Sequence, residues 1–509
     1  MNIVVLGGGI TGLSSAFHLS RRFPDARITL IEKADRLGGW IKSERVNAAS
    51  SSVVLETGPR TLRPVDKATL ELVSSPPLHK KTEPTRALQI HLLDLTPQLI
   101  TTPKTSPAAK SRFLYVPDLG GLLPLPSSLT SLLLPWSDSR PLSWILLHAV
   151  LTEPFWSANR PAGTQGAEGD DESVDAFLAR RFGEDFARVF GSALVHGIYA
   201  ADSRTLSVRA AFPSLWDAEA KGNGSVLWGM MRGGGGKKDE NVYELGDMLD
   251  RMKGVSVLSF KDGIEALPRA LEAYLAAKRN VKILKRTSVS GLAMTDEEHI
   301  EVHCDDLKIT ATHVVSTLPL PVLRDILPPS QQLPHLTANP FTTVTVVNLV
   351  FPVHPDQVHP PGFGYLVPRP RDPIADALPI IGTVFDSCSL SAQDDPPIHT
   401  KITVMIKGEH PLPPTPSAPA SPSDIPDMII NILSALSTHL STSLPDPVLW
   451  RVHVNRQCIP TYTVGHRRRM EELENRTKEV WKGRLELAGS GLGGLSVADC
   501  IRAGRKVFA

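Results

Sequence analysis

The chain begins with two short apolar runs separated by a longer segment of mixed polarity, a pattern that predicts a strand, a helix and a second strand. Residues 3–6 and 28–31 are short runs of mainly aliphatic residues, and the Ala- and Leu-containing segment between them favours a helix. Short apolar runs bounded by glycine are typical of parallel strands that are buried on both faces. The pattern therefore predicts a β-α-β unit at the start of the chain.

Similar patterns return in the second half of the chain. Residues 281–284 and 313–318 are apolar runs that predict strands, and Leu267 with the following proline begins a predicted helix. Residues 341–367 and 379–408 alternate like strands of a sheet outside the first unit. With 509 residues the chain is too long for one core, and we expect two or three domains.

The middle of the chain is predicted to be helical. Residues 174–221 have a helical pattern with four phenylalanines at roughly helical spacing, which we expect in a core. These are Phe177, Phe182, Phe186 and Phe190.

Two apolar segments precede this region. Residues 119–137 carry no charge, and residues 141–152 form a second apolar piece near Trp136 and Trp156. Three prolines in the first segment make a membrane-spanning helix the least favoured interpretation. Helices lying in one leaflet of a membrane are favoured, and an ordinary helical core stays open as the alternative.

The composition and charge narrow the function classes. A formal net charge of +1 gives no electrostatic case for binding nucleic acid. The four cysteines form no C-x-x-C pair and the histidines lack metal-ligand spacing, so we expect no metal site and no disulfide framework. Because the first strand begins at residue 3, we expect any organelle targeting to be internal.

The turn after the first strand carries the spacing of a dinucleotide site. Gly7, Gly9 and Gly12 form G-x-G-x-x-G, and Glu32 follows the last glycine by 20 residues. The glycines allow a tight turn, close approach of the backbone to a pyrophosphate, and close helix–strand packing, while the acid accepts hydrogen bonds from a ribose diol. The alternative, a glycine-rich turn in any α/β domain, leaves Glu32 unexplained.

A second motif separates FAD from NAD. Arg36 and the pair Gly38-Gly39 follow the acid, and this element resembles the second diphosphate contact of flavin oxidases in the glutathione-reductase-like superfamily. A forked guanidinium and exposed backbone N–H groups suit a diphosphate. The cofactor is therefore predicted to be FAD.

The end of the chain repeats the strand, glycine turn and helix in residues 485–500. Too few residues follow to complete another β-α-β unit, which needs about thirty. We therefore expect this segment to close the first nucleotide domain. Without a second complete dinucleotide fold, we expect no bound NADPH, electrons from the substrate, and oxygen as acceptor.

Several longer motifs resemble the oxygen-dependent, eukaryotic protoporphyrinogen oxidase family of the FAD-dependent amine oxidase and phytoene desaturase superfamily. The resemblance spans nearly the whole chain, and the proline-rich insertions resemble fungal members. The motifs that carry it include Glu56-Thr57-Gly58-Pro59-Arg60, Arg112-Phe113-Leu114-Tyr115-Val116, Gly362-Phe363-Gly364-Tyr365-Leu366-Val367-Pro368, Pro460-Thr461-Tyr462-Thr463-Val464-Gly465-His466 and Leu487-Ala488-Gly489.

The resemblance implies a reaction and a set of site residues. The reaction is oxidation of protoporphyrinogen IX by FAD in three rounds, with O2 consumed and H2O2 released, as the penultimate step of haem synthesis. Arg112 would pair a propionate, Phe363 and Leu366 would enclose the macrocycle, Met405 would line the slot, and Gly197 would place a carbonyl near the substrate. No residue stands out as a general base, and His196 is favoured as a structural histidine.

The glycine motifs and the resemblance together predict the cofactor site. Arg60 is expected to brace the flavin region, and Val289 to lie beside the adenine. The full set is Gly7, Gly9, Ile10, Thr11, Gly12, Glu32, Lys33, Arg36, Gly38, Gly39, Trp40, Gly58, Pro59, Arg60, Val289, Gly489, Leu495, Ser496 and Val497.

The predicted fold class is α/β plus α+β, with three domains. Residues 1–75, 255–320 and 475–509 form a discontinuous Rossmann-like FAD-binding domain. Residues 76–118 and 321–474 form a mixed-sheet substrate domain, with residues 411–426 as a disordered insertion. Residues 119–254 form a helical, membrane-associating domain.

The resemblance further implies a location and partners. The location is the intermembrane-space side of the mitochondrial inner membrane, with peripheral attachment. The resemblance is also compatible with a homodimer and with a ferrochelatase contact. Two rival functions stay open. One is an amine oxidase of the same superfamily, and the other is a non-catalytic flavoprotein in a haem-synthesis complex.

Overall fold

The computed structural model describes most of the chain, apart from several short segments. Predictions made for residues 127–137, Trp156 and residues 414–424 lie outside the described part. The described residues are 1–48, 51–74, 95–126, 140–155, 171–233, 242–296, 298–305, 307–371, 378–395, 399–413 and 425–508.

The strands alternate with helices at both ends of the chain and predominate in its second half. They are β1 Asn2–Leu6, β2 Arg27–Ile31, β3 Ser43–Ala48, β4 Ser51–Glu56, β5 Leu99–Pro103, β6 Phe113–Val116, β7 Gly121–Pro124, β8 Val255–Phe260, β9 Val281–Leu284, β10 Val289–Met294, β11 Ile300–Cys304, β12 Leu307–Ala311, β13 His313–Ser316, β14 Phe341–Phe351, β15 Gly364–Leu366, β16 Ile380–Val384, β17 Thr400–Lys407, β18 Leu449–Pro460 and β19 Leu485–Leu487.

A π-helical turn, Ala187–Gly191, joins the helices Glu184–Phe186 and Ser192–Tyr199, and the helices of the chain cluster in its middle. They are α1 Ile10–Arg22, α2 Lys67–Val73, α3 Pro107–Lys110, α4 Arg140–Thr152, α5 Val174–Phe182, α6 Glu184–Phe186, α7 Ser192–Tyr199, α8 Val208–Ala211, α9 Pro213–Lys221, α10 Val226–Met231, α11 Met248–Arg251, α12 Ala266–Ala276, α13 Leu320–Ile326, α14 Asp386–Ser389, α15 Asp427–Leu440, α16 His466–Val480 and α17 Val497–Lys506.

A five-stranded parallel sheet unites the beginning, middle and end of the chain. Its order is β19-β13-β1-β2-β9, and every pair is parallel. The central strand β1 is buried because its apolar run is covered on both faces. Helix α17 packs on α1, where the Ser14 hydroxyl donates to the carbonyl of Ile501 at 2.9 Å. The strand predicted from residues 485–500 therefore joins the sheet whose strand β1 precedes the first glycine turn, and the predicted helix packs on α1.

A seven-stranded mixed sheet forms the second layer of the molecule. Its order is β18-β14-β17-β16-β15-β6-β7, with β6 and β15 parallel and the other pairs antiparallel. The alternating patterns in residues 341–367 and 379–408 form β14 to β17, which confirms the sheet predicted there. Smaller sheets pair β3 with β4, β5 with β8, and β10 to β12 in sequence.

The helical region packs against one face of the second sheet. Phe177 and Phe182 are buried in its core as predicted, whereas Phe186 and Phe190 are half-buried. Glu153 and Arg181, both without exposed side-chain surface, form an ion pair at 2.6 Å that ties the end of α4 to α5. No described helix is long and apolar enough to cross a membrane.

Candidate functional site

The first glycine turn leaves open space at the N-terminus of helix α1. Gly7 has φ +95°, and an ideal Cβ on Gly12 would lie 1.9 Å from the Gly7 carbonyl oxygen, so both positions need glycine. An ideal Cβ on Gly9 meets no heavy atom within 4 Å. Ile10 and Thr11 lie in the first turn of the helix, whose free N–H groups favour an anion.

The second glycine pair lies directly against this turn. The Gly38 N–H donates to the Gly8 carbonyl at 2.8 Å, and an ideal Cβ on Gly39 would lie 3.2 Å from the Gly9 Cα. The Arg36 guanidinium donates to the carbonyls of Leu37 and Ile41, each at 3.0 Å. Arg36 therefore stabilises its own loop, and its predicted contact with a diphosphate stays a prediction.

Glu32 lies at the end of β2 with its carboxylate held by the backbone. Its two oxygens accept hydrogen bonds from the N–H groups of Gly8 at 2.7 Å and Ala34 at 2.8 Å. The N–H of Thr287 donates to the Glu32 carbonyl, which brings the start of β10, and with it Val289, beside this turn. Lys33 is exposed at the same edge.

The C-terminal glycine turn completes the same face. The Ala488 N–H donates to the Ser316 carbonyl at 3.0 Å, and an ideal Cβ on Gly489 would lie 3.9 Å from the Thr11 hydroxyl. Ser496 caps helix α17 through a capping box with Asp499. Three glycine turns from distant parts of the sequence thus meet; we call them the nucleotide cradle (Gly7–Gly12, Gly38-Gly39 and Gly489).

Two buried aromatic residues that we did not predict hold the C-terminal turn. The Tyr462 hydroxyl donates to the Ser490 carbonyl, and Nε2 of His466 bonds to the Leu492 carbonyl at 2.8 Å. Their rings stack at 4.2 Å, and burial lowers the pKa of His466 to about 4. Leu495 packs against the same cluster, next to the buried Val497. The sequence signal for these two residues was the motif from Pro460 to His466, which carries the family resemblance but does not by itself give its members a role.

Gly58, Pro59 and Arg60 link the cradle to the second sheet. An ideal Cβ on Gly58 would lie 2.4 Å from the carbonyl oxygen of Trp40, so this position needs glycine. Arg60 is buried and pairs with Asp386 at 3.0 Å, and Asp386 also accepts from Thr403 on β17. This placement agrees with a bracing role for Arg60.

Two of the predicted substrate residues, Leu366 and Met405, lie on one face of the second sheet. Strand register places Leu366 on β15 opposite Gly382 on β16, and Gly382 opposite Met405 on β17. Directly opposed residues share a face of a sheet, and the small Gly382 leaves room between its two neighbours. We call Arg112, Gly197, Phe363, Leu366 and Met405 the substrate slot.

Helix α7 covers this row of residues. An ideal Cβ on Gly197 would lie 2.8 and 2.9 Å from the two methyl groups of Leu366, so the helix backbone lies directly on the sheet. Nδ1 of His196 bonds to the Val367 carbonyl at 2.7 Å, and burial lowers the pKa of the imidazole. This bond ties α7 to the residue just after β15, which agrees with the structural role that the sequence favoured for His196.

Arg112 directly precedes β6 and lies beside Phe363. Its guanidinium is exposed, donates to the Ala109 carbonyl at 3.2 Å and lies 5.9 Å from the centroid of the Phe363 ring. Phe363 is held there because its N–H donates to the Ser111 carbonyl at 2.9 Å. A forked cation beside an aromatic ring suits an apolar ligand that carries a carboxylate.

Tyr199 and Tyr462 connect the slot to the cradle. Their rings lie 5.9 Å apart, with Tyr199 at the end of α7 and Tyr462 bonded to the C-terminal glycine turn. The slot and the cradle are thus adjacent parts of one site. The open space at Gly9, the free helix N-terminus and the carboxylate of Glu32 fit a dinucleotide cofactor on this structure's own geometry.

The comparison with protein families defines the class of the chain. The model of the flavin containing amine oxidoreductases matches residues 10–507, so the fold and the cradle are those of a flavin-dependent oxidoreductase with FAD as its cofactor. Two solved structures share this fold. One is of an Exiguobacterium sp. 255-15 protein (TM-score 0.68, 22% identity), and the other is cyclohexylamine oxidase of Brevibacterium oxydans (TM-score 0.61, 16% identity). Each alignment covers 99% of this chain and 97% of the other.

Within this class the chain belongs to the protoporphyrinogen oxidase family. It is 34% identical to human protoporphyrinogen oxidase over 99% of this chain and 97% of the human one. It is 30% identical to the Schizosaccharomyces pombe protoporphyrinogen oxidase, again over 99% of this chain and 97% of the relative.

Proposed function

We propose that this chain oxidises protoporphyrinogen IX to protoporphyrin IX and passes the electrons to O2. Six electrons and six protons leave the substrate in three rounds, and each round reduces one O2 to one H2O2. Bound FAD supplies the acceptor for a hydride from the macrocycle. The observation that carries the proposal is the register that aligns Leu366, Gly382 and Met405 on one face of the second sheet, with Gly197 of α7 directly over Leu366.

The slot residues suit a large apolar disc with acidic side chains on one edge. Leu366 and Phe363 offer apolar walls, and Met405 adds a flexible, polarizable surface. Arg112 offers a forked cation for a propionate at the open end of the slot. These groups bind and orient the macrocycle, and close packing of α7 on the sheet excludes water from it.

The single complete dinucleotide fold supports oxygen as the acceptor. In the described part of the chain, the C-terminal strand β19 joins the first sheet and does not begin another. Electrons then enter from the substrate and leave to a small diffusible acceptor.

Two adjacent exposed apolar patches support contact with a membrane. In the first patch, Trp144 on α4 is 73% exposed, and Phe155, just beyond the end of α4, is 88% exposed. In the second patch, Trp228 and Met231 on α10 are exposed. The Glu153 carboxylate accepts from the N–H of Val226, which holds the two patches together. Tryptophans on an apolar surface suit the interface of one leaflet.

We therefore propose that the helical region attaches the chain peripherally to the intermembrane-space side of the mitochondrial inner membrane. The homodimer and the ferrochelatase contact stay predictions. Sedimentation with phospholipid vesicles tests the attachment, and Phe155→Glu with Trp144→Glu should abolish it.

The activity is tested with purified protein under air. We expect a yellow preparation that generates porphyrin fluorescence from protoporphyrinogen IX and releases three H2O2 per porphyrin. Arg112→Ala should raise KM about 10- to 100-fold with flavin content unchanged, because a charge-assisted pair to a carboxylate is lost. Arg112→Lys, which keeps the charge, is the matched control.

Each other outcome identifies a rival function. Turnover of amines and not of the porphyrinogen would indicate an amine oxidase. A yellow protein inert toward both would indicate a flavoprotein partner without turnover. Loss of FAD from Arg112→Ala would remove Arg112 from the slot.

A further inference from the structure

A buried carboxylate of the helical region bonds to the segment that holds the C-terminal glycine turn. Asp171 lies three residues before α5 and is 8% exposed. One oxygen accepts from the N–H of Glu172 at 2.9 Å, and the other accepts from the N–H of Gly465 at 2.8 Å. The Ser207 hydroxyl donates to the same carboxylate, at 2.8 and 2.7 Å from its two oxygens. Asp171 was assigned no role from the sequence.

Gly465 is the point at which the chain turns into helix α16. It has φ +83° and is the N-cap residue of that helix, so its N–H lies outside the helical hydrogen bonds. The next residue, His466, bonds through Nε2 to the carbonyl of Leu492 at 2.8 Å. The Asp171 carboxylate therefore fixes the start of the helix from which His466 reaches the glycine turn.

A backbone contact holds the other end of the same segment. The N–H of Ser207 donates to the Tyr462 carbonyl at 2.7 Å, and Leu206 forms an isolated antiparallel bridge with Thr463. Tyr462 is the second residue whose side chain bonds to the glycine turn. Residues 462–466 are thus held at both ends by the helical region, and both side chains that hold the turn belong to this segment.

The neighbouring carboxylate is used differently. Glu172 is 6% exposed and pairs with Arg180 at 2.6 Å, so both members of this pair belong to the helical region. Asp171 has a partner outside that region, because Gly465 lies between the second sheet and α16. A purely structural role of the kind that Glu172 has does not account for this contact.

We propose that Asp171 is a positioning residue of the cofactor site. Through Ser207 and Gly465 its carboxylate sets the place of residues 462–466, and through them the place of the C-terminal turn of the nucleotide cradle. The helical region also supplies α7, which covers the slot, so the same contacts hold cofactor and substrate walls in register. The inference deepens the proposed function and rests on it where turnover is measured, whereas FAD binding is measured without turnover.

The main test compares two isosteric changes at adjacent buried carboxylates. An amide has a single acceptor oxygen, so in Asp171→Asn its NH2 must face the N–H of either Glu172 or Gly465. The dissociation constant of FAD should rise about 10-fold, as expected when a hydrogen bond to a charged group is lost. Glu172→Gln, which removes the charge that pairs with Arg180, should change it less than about twofold. Release of FAD on dilution of the holoenzyme, followed by flavin fluorescence, measures both values.

Kinetics and unfolding separate positioning from general destabilisation. With saturating FAD, Asp171→Asn should lower kcat for protoporphyrinogen IX and leave KM within about twofold, because Arg112 and Phe363 are untouched. Urea unfolding of Asp171→Asn and Glu172→Gln reports how much stability each change removes.

A double variant tests the route from Asp171 to the turn. His466→Phe keeps a ring at this position but removes the hydrogen bond to Leu492. If Asp171 acts through this segment, Asp171→Asn should weaken FAD binding less in the His466→Phe background than in the wild type.

A milder pair of variants serves if Asp171→Asn does not fold. Ser207 and Ser225 each cap a short helix and donate to a buried carboxylate, but Ser225 bonds to Glu153 inside the helical region. Ser207→Ala should weaken FAD binding about threefold, as expected for one hydrogen bond, and Ser225→Ala should match the wild type.

Three results would overturn the positioning role. They are a wild-type affinity for FAD in Asp171→Asn (or in Ser207→Ala, where that variant replaces it), equal losses of FAD affinity in a variant and its matched control, or strictly multiplicative losses in the double variant. In all three the proposed function stands. A wild type that binds FAD but is inert toward protoporphyrinogen IX contradicts the proposed function, and the FAD measurements then still decide the role of Asp171.

Discussion

The nucleotide cradle and the substrate slot are built in contrasting ways. The cradle presents backbone: a Cβ on Gly12 would collide with the Gly7 carbonyl, whereas a Cβ on Gly9 would enter open space. The slot presents side chains such as those of Leu366 and Met405, which β15 and β17 bring to one face on either side of Gly382. Cofactor binding thus depends on short local motifs, whereas the proposed substrate slot depends on the register of a sheet formed by distant segments.

The contrast has a physical cause. A diphosphate is recognised by N–H groups at a helix N-terminus, and every residue type supplies the same N–H. Only the absence of a side chain is then specific, so glycines mark the site. An apolar disc is recognised by shape and by a few cations, and many side chains can line such a slot.

The largest effect should come from filling the open space of the cradle. Gly9→Val places a branched side chain where a diphosphate would lie, while no protein atom is within 4 Å of the new Cβ. We expect loss of the flavin and at least about 100-fold lower activity, with the fold intact. Flavin absorbance and circular dichroism measure the two effects.

Gly12→Val is the matched control for this variant. Its Cβ would lie 1.9 Å from the Gly7 carbonyl, so it should destabilise the apoprotein itself. Retention of FAD in Gly9→Val would contradict the assignment of the open space to the cofactor.

A smaller effect is expected from narrowing the slot. Gly197→Ala places a Cβ 2.8 Å from a methyl group of Leu366, whose side chain must shift. We expect kcat/KM for protoporphyrinogen IX to fall about 10-fold with flavin content unchanged, because a small misplacement of a bound substrate is costly. Steady-state kinetics with Ile198→Ala, a neighbouring exposed residue, as the control measures this effect.

A double variant tests whether the two residues act together. In Gly197→Ala/Leu366→Ala the collision is relieved, so the loss should be smaller than the product of the single losses. Strictly multiplicative losses would show that Gly197 and Leu366 act independently.

The last effect is on stability and not on activity, and it concerns Glu56, which lies between the two regions. Burial raises its pKa to about 7, although Ser43 and the N–H of Ile264 donate to the carboxylate. The folded protein then keeps a proton that the unfolded chain releases at lower pH. Its free energy of unfolding should fall as the pH rises from about 4.5 to about 7, by up to about 3 kcal/mol.

Glu56→Gln should remove this fall, because an amide does not titrate. Denaturant unfolding, measured between pH 4 and pH 8 at intervals of about one pH unit, gives the difference from the wild type. Glu471→Gln, at an exposed position of α16, should leave the pH dependence unchanged. Parallel curves for the wild type and Glu56→Gln would contradict the raised pKa.

The sequence predicted the cradle more fully than the slot. The β-α-β unit, the helix that begins at Leu267 and its proline, and the C-terminal strand were readable because local periodicity and glycine spacing signal them directly. The slot residues were found through family resemblance, since Leu366 and Met405 look like ordinary sheet residues. Tyr462 and His466 were assigned no role, because their importance lies in partners far away in sequence.

By itself the sequence determined which chemistry is held at the cradle, because glycine spacing and an acid at a fixed distance encode a diphosphate and a ribose locally. Only the tertiary structure decided which side chains share a face of the second sheet. The strand register aligns Leu366, Gly382 and Met405 there. Register is set by pairing between distant segments, and a shift of one residue would turn every one of these side chains to the other face.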